Sequence, residues 1–342
     1  VPNYLVRRQG DFSKKYYDVL VKLVKNAGSL TVATDYDIEG EVIGLNVVRF
    51  IAGQPDAARM KFSTLTEKEL NKAYEEKTQS VDWGQAIAGE TRHHLDWLYG
   101  INVSRMLMRA IRSTGKFRIF SIGRVQGPTL NLIVKKEKEI LGFKSEKYWQ
   151  VFITLEKPEI ELIHKKDIFN KNDLKVFEGI VRKAGLAFTK KTQENLIPNA
   201  PFNLTTLQTE SYRLFGLNPS KTLAIAQSLY LNGLISYPRT SSQKLPPAIG
   251  YKEILDKLSK KYKVEKLIVR DNPIEGKKTD PAHPSIYPTG ENSLKLLEQE
   301  QKIYDLIVKR FLCLFMDDAV IENKVINVSV DSAKGKPLEF IK

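Results

Sequence analysis

A chain of 342 residues is longer than one hydrophobic core commonly organises, so two or more domains are expected. Its 42% hydrophobic and 27% charged residues exclude a disordered or fibrous chain, and no run approaches the roughly 18 consecutive apolar residues of a membrane-spanning helix. Lys and Arg outnumber Asp and Glu by 54 to 40, a net charge of +14 spread along the chain, which points to folded basic surfaces and a polyanion such as nucleic acid as partner.

The single cysteine, Cys313, excludes an internal disulfide and a cysteine-based zinc cluster. Its neighbours Phe311, Leu312, Leu314 and Phe315 predict core packing for it. The N-terminus does not resemble a signal peptide, so a reducing, cytoplasmic setting without membrane attachment is expected.

In chain order, Ser29 to Phe50 reads as a strand, a tight acidic turn and a helix. Leu30 to Ala33 are apolar or β-branched, and Val42, Ile43, Val47 and Phe50 supply helical spacing. Such a unit belongs in an α/β domain, where ligands collect at the carboxyl ends of strands. From Val81 to Gly142 the pattern is helical, with Leu95, Leu98, Val103, Leu107, Leu130, Ile133 and Val134 on recurring faces and a glycine-containing loop at Gly115–Gly127. Tyr148 to Ile163 alternates as a strand and opens a new domain.

Pro198 and Pro201 mark the next boundary. Two helices follow; for the second, Asn218 is a suitable N-cap, Pro219 fits the first helical position, and Gly233 closes the end after Leu223, Ala226 and Tyr230. Leu234 to Arg239 is extended, and Val320 to Val330 alternates again, as though returning to the sheet begun near Tyr148.

Two segments carry chemistry. In TDYDIEGE, the carboxylates of Asp35, Asp37 and Glu39 fall on one side if the backbone is extended, and a divalent cation is the simplest way to keep all three ionised. Hard oxygen ligands favour Mg²⁺. A solvated acidic turn is the plain alternative. A calcium loop of EF-hand type fits poorly, because Asn46 occupies the place of its closing glutamate. In ISYPRTSS, Tyr237 lies two residues before Arg239, with Thr240, Ser241 and Ser242 beyond. A tyrosine used in phosphoryl transfer needs a cation for the developing phenolate or the phosphate, and arginine suits phosphate contact.

Several runs together resemble the type IA DNA topoisomerases, most closely the archaeal topoisomerase III group. They are TDYDIEGEVIG, SIGRVQGPTL, LTTLQTE, LISYPRTSS and AHPSIYPTG, in family order and across nearly the whole chain. TDYDIEGEVIG alone would also suit a primase or a Toprim nuclease. The resemblance implies a multidomain, toroidal α/β and α architecture. Its parts would be a partial Toprim domain at 1–82, a helical base at 83–145, the first part of a β-rich arch at 146–200, a helical domain carrying the nucleophile at 201–322, and a return to the arch at 323–342.

By position, the resemblance makes Tyr237 the nucleophile and Arg239 its supporting cation. Asp35, Asp37 and Glu39 would hold Mg²⁺, with Glu39 also catalytic. Arg124, Gln208, His283, Thr240 and Ser241 would contact DNA. The implied function is ATP-independent relaxation of negatively supercoiled DNA through a 5′-phosphotyrosyl intermediate, by a nucleoid-associated monomer acting on single-stranded DNA. The family's first Toprim strand, with its glutamate and nearby lysine, has no counterpart among these residues, so the chain reads as a fragment. A reverse gyrase module is the runner-up, without a GxxxxGK[ST] loop to support it, and a DNA-binding fragment without activity is the rival from another class.

Overall fold

The computed structural model describes residues 12–291, 295–332 and 335–342, so the N-terminal run inspected for a signal peptide begins outside them. The elements in chain order are α1 (Phe12–Val24), β1 (Thr31–Val32), α2 (Ile38–Phe50), β2 (Ala58–Arg59), α3 (Glu67–Glu75), α4 (Trp83–Arg112), α5 (Gln126–Gly142), β3 (Phe152–Glu156), β4 (Glu159–His164), β5 (Leu186–Leu196), α6 (Leu204–Phe215), α7 (Pro219–Leu231), α8 (Tyr251–Tyr262), α9 (Glu298–Cys313), β6 (Ala319–Asp331) and β7 (Pro337–Ile341). The fold is mixed α/β. The chain divides into two compact units, one made of the described residues up to Gln126 with Pro198–Asp317, the other of Gly127–Ile197 with Asp318–Lys342.

In the first unit, β1 and β2 pair in parallel, and α2 covers them through Leu45 and Val48, which bury with Val32, Val81 and Ala86. The apolar face of α2 is therefore Val42, Leu45 and Val48; Ile43 and Phe50, expected to join it, are exposed. Close approach is built into α2. A methyl group on Gly44 would lie 2.3 Å from Val32 Cγ1, so only glycine lets the helix settle on β1.

The acidic turn is not extended through all three carboxylates, as its alternation predicts. Asp37 is the N-cap of α2, its Oδ1 accepting the Gly40 amide at 2.7 Å, and Glu39 already lies in the first helical turn. The cap competes with the strand and wins, because the first amides of a helix need acceptors and an aspartate beside them supplies one.

The same unit holds a larger core around Phe202, Leu207, Leu229, Ile235, Ile307, Phe311 and Phe315, built by α6 to α9. Asn203 and Thr206 form a reciprocal capping box at the start of α6. Asn218 caps α7, with Pro219 in its first turn, as the sequence predicts. After α7 the chain reverses at Gly233, φ +71°, with the Gly233 amide donating to Tyr230 O at 2.8 Å and the Leu234 amide to Leu229 O at 3.0 Å. The run from Leu234 is extended but forms only an isolated bridge, Ile235 to Pro288. Cys313 corrects the core expectation: it is exposed, since its neighbours Leu312 and Leu314 take the buried face at the end of α9.

The second unit contains a five-stranded antiparallel sheet ordered β3-β4-β7-β6-β5. The run from Tyr148 is a hairpin rather than one strand, with Glu156 opposite Glu159, and β6 does return to its sheet. Leu162, Val328, Leu338 and Phe340 form its core. The recurring apolar positions of the helical stretch are not buried: Leu95, Leu98 and Leu107 of α4, and Leu130, Ile133 and Val134 of α5, are all exposed.

Candidate nucleophile and acidic turn

Tyr237 follows directly from the reversal after α7. Its amide donates to Ser63 O at 2.8 Å, the Ser236 amide to Tyr287 O at 2.9 Å, and the Thr289 amide to Leu234 O at 3.0 Å, so the extended segment is held from both sides by backbone. This brings the Tyr237 hydroxyl to Asp37, where it donates to Oδ2. Asp37 therefore does two jobs, one oxygen capping α2 and the other facing the phenol.

A second tyrosine mirrors the first. The Tyr230 hydroxyl donates to Asp35 Oδ1 at 3.0 Å, and the two tyrosine rings meet edge to face with centroids 5.3 Å apart. Burial, then the bond to Asp37 and the charges of Asp37 and Asp35, push the Tyr237 phenol pKa up, with the Arg239 charge pulling it down. Burial and Asp35 raise Tyr230 likewise. Both phenols are thus held protonated in this state.

His283 packs against Tyr237, ring centroids 4.6 Å apart. Its Nδ1 lies 2.9 Å from Ser63 Oγ, while Nε2 is buried without a hydrogen-bond partner. Burial lowers the imidazole pKa, against the Asp280 charge, a backbone contact at Tyr36 and the charges of Asp37 and Asp35. A cavity of about 260 Å³ opens nearby, lined by Tyr36, Lys61, Ser63 and Ala282 among others.

Glu39 leaves this group. Its carboxylate meets Arg92 Nη1 at 3.2 Å and His93 Nε2 at 2.9 Å, both on α4, and no cluster of three acidic, histidine or cysteine ligands occurs among the described residues. What the turn offers a cation is two carboxylates, Asp35 and Asp37. That fits Mg²⁺, which commonly takes one or two carboxylates and completes its shell with water and phosphate oxygens.

Residues 80–340 match the family model described as DNA topoisomerase. The chain belongs to the type IA DNA topoisomerases. It is 44% identical over 331 residues to DNA topoisomerase 1 of Methanocaldococcus jannaschii, covering 94% of this chain and 43% of that protein. It is 40% identical over 347 residues to DNA topoisomerase 1 of Pyrococcus horikoshii, covering 96% and 50%. The fold matches full-length topoisomerase I of Thermotoga maritima with a TM-score of 0.75 at 27% identity, covering 97% of this chain and 55% of that one. The chain spans about half the length of the relatives it matches. Both archaeal relatives are named DNA topoisomerase 1, and neither name mentions topoisomerase III.

The remaining expected residues of this topoisomerase chain fall into two groups. Arg239 is exposed two residues from Tyr237, and Arg124 is exposed, its Nε donating to Asp96 Oδ1 at 2.7 Å. Both guanidinium groups are accessible to phosphate. Thr240, Ser241 and Gln208 are engaged within the protein. Thr240 Oγ1 accepts the Ser242 amide at 3.0 Å, Ser241 Oγ donates to Asp280 Oδ2 at 3.0 Å, and Gln208 Nε2 donates to Pro219 O at 3.0 Å.

Sequence reasoning missed four residues that shape the site. Arg59 and Glu41 form a fully buried ion pair, Nε to Oε2 2.7 Å, beneath the acidic turn. The same guanidinium donates to Thr34 O at 2.8 Å, Met60 O at 2.7 Å and Asp35 O at 2.9 Å, so it fixes the backbone that carries Asp35. Ser63 touches both the Tyr237 backbone and His283, and Tyr230 faces Asp35. Glu41 stood in view within TDYDIEGE; Arg59, Ser63 and Tyr230 gave no signal beyond an ordinary charge, hydroxyl and helical aromatic.

Proposed function

We propose that this chain carries the strand-cutting centre of a type IA DNA topoisomerase, with Tyr237 as the nucleophile. The observation that carries the reading is the Tyr237 hydroxyl facing Asp37, with the buried His283 ring packed against the same tyrosine. Tyr237 Oη attacks a backbone phosphorus, the bond from phosphorus to the 3′ oxygen breaks, and a 5′-phosphotyrosyl link forms. The phenol proton passes to Asp37, and the leaving 3′ oxygen takes up one proton from solvent and ends as a hydroxyl, so one proton is released and one taken up. Reversal restores the strand, and because one phosphodiester bond replaces another, no ATP is needed.

Arg239 stabilises charge on the phosphate, His283 orients a phosphate oxygen through Nε2, and Arg124 binds DNA backbone near the break. Thr240, Ser241 and Gln208 shape the DNA-contacting surface through the segments they hold. Asp35 and Asp37 would hold Mg²⁺, which would supply positive charge against the phosphate; Glu39, expected to join them, would have to leave Arg92 and His93 to do so. Tyr237 is only 2% exposed, so the acidic turn and the tyrosine segment must part to admit a strand. That requirement favours single-stranded DNA, and in the whole protein negatively supercoiled DNA, handled by a monomer in the toroidal, gated layout of the family. The same reading places the protein with the nucleoid, in the archaeal topoisomerase III group.

The test is a trapped adduct. With a labelled single-stranded oligonucleotide and Mg²⁺, denaturation should leave the label on the peptide containing Tyr237. Tyr237→Phe should remove the adduct and leave single-strand affinity within about twofold, since only one hydroxyl is lost. Arg239→Ala should slow adduct formation roughly 100-fold without abolishing it. Label on another tyrosine, or an adduct from Tyr237→Phe, overturns the assignment.

A further inference from the structure

Tyr230 sits in the last turn of α7, 1% exposed, and has no place in the transesterification. Yet its hydroxyl donates to Asp35 at 3.0 Å, and its ring edge meets the Tyr237 ring. The two phenols address the two carboxylates of the acidic turn separately, Tyr230 to Asp35 and Tyr237 to Asp37. Their fates differ during the reaction. Once Tyr237 Oη is bonded to phosphorus it has no proton to give, and Asp37 loses that donor. The Tyr230 hydroxyl forms no bond to phosphorus, so its contact with Asp35 is not consumed by cutting or resealing.

We propose that Tyr230 is a positioning residue whose hydroxyl holds the Asp35 carboxylate in the orientation that receives a divalent cation. The proposal rests on the reading of Asp35 and Asp37 as the metal-facing pair. The Asp35 backbone is fixed by Arg59 and its side chain by Tyr230, so the residue is held at both ends. Donors behind a metal ligand commonly contribute 10–100-fold to affinity. The sequence gives no hint of this, because a tyrosine at helical spacing reads as core.

The test is metal binding, read without DNA or turnover. Mn²⁺ is titrated into the 342-residue chain and its free fraction followed by electron paramagnetic resonance. Tyr230→Phe, which keeps the ring, should weaken Mn²⁺ binding about 10-fold. Single-strand DNA affinity without metal should stay unchanged, and 4-aminophenylalanine at position 230, which restores a donor, should recover most of the loss. Unchanged or tighter Mn²⁺ binding in Tyr230→Phe, or loss that the amino group does not rescue, overturns the proposal. Asp35→Asn and Asp37→Asn separate the two readings. If they abolish Mn²⁺ binding while Tyr230→Phe does not weaken it, only the role of Tyr230 falls. If wild-type protein binds no Mn²⁺ at this pair, the metal reading and this proposal fall together. An adduct on a tyrosine other than Tyr237, with the Mn²⁺ results as expected, removes the assigned nucleophile and leaves Tyr230 in place.

Discussion

The ion pair Arg59–Glu41 and the ion pair Arg124–Asp96 use the same chemistry at the same distance, 2.7 Å in both, and do opposite work. The side chains of the first are 0% exposed, and those of the second are 43% and 42% exposed. Arg59 also donates to the carbonyls of Thr34, Asp35 and Met60, and with its side chain fully buried it faces the scaffold and not a ligand. Arg124 has one carboxylate partner, in water, and exchanging it for a DNA phosphate costs little. A buried guanidinium builds the shape of a site; an exposed one is available to bind at it.

The largest effect is expected from breaking the buried pair. Arg59→Met should destabilise the fold by about 3–5 kcal/mol, because it strands the Glu41 charge away from water. Equilibrium chemical denaturation measures it. Adding Glu41→Leu should recover part of that loss and not all, since the carbonyls of Thr34 and Asp35 still lack their donor. Full recovery would mean the backbone contacts of Arg59 contribute nothing.

A smaller effect sharpens the contrast from the acid side. Asp56 is half-buried just before β2, where its carboxylate meets Ser80, Val81 and Trp83 at the start of α4. Burial alone would raise its pKa, but bonds from Ser80, Val81, Trp83 and Ala57 overrule that and hold it at about 2. A carboxylate depressed from 3.8 contributes stability above pH 3.8 and loses it as pH falls toward 2. Asp56→Asn should therefore flatten the stability profile across that window, measured as denaturation midpoint against pH. An unchanged slope would show that the four donors do not favour the charged form.

The smallest structural effect belongs to Arg124. Arg124→Ala should leave the denaturation midpoint unchanged while lowering single-strand affinity and reducing the slope of log affinity against log salt by about one. A shifted midpoint with an unchanged salt slope would place Arg124 on the structural side of the comparison.

Much of the scaffold was legible because local signals agreed. Asn218 and Pro219 start α7, Gly233 ends it, and the alternation of Val320–Val330 marks β6. The strand, turn and helix of Ser29–Phe50 were legible, and the placing of three carboxylates on one side was not borne out. Alternation cannot tell an extended run from a strand that turns into a helix at its second aspartate, and the Asp37 cap decided for the helix, sending Glu39 toward Arg92 and His93. Hydrophobic spacing on α4 and α5 was equally ambiguous, since periodicity reports an apolar face and not what covers it.

By itself the sequence determined the family, through ordered motifs, and named Tyr237, Asp35, Asp37 and His283 as the residues to watch. Only the tertiary structure decided that the Tyr237 hydroxyl faces Asp37, that Tyr230 faces Asp35, and that Arg59 holds the turn between them. These contacts join residues 24 to 200 positions apart, and nothing in local spacing encodes a pairing that exists only after separate segments have packed.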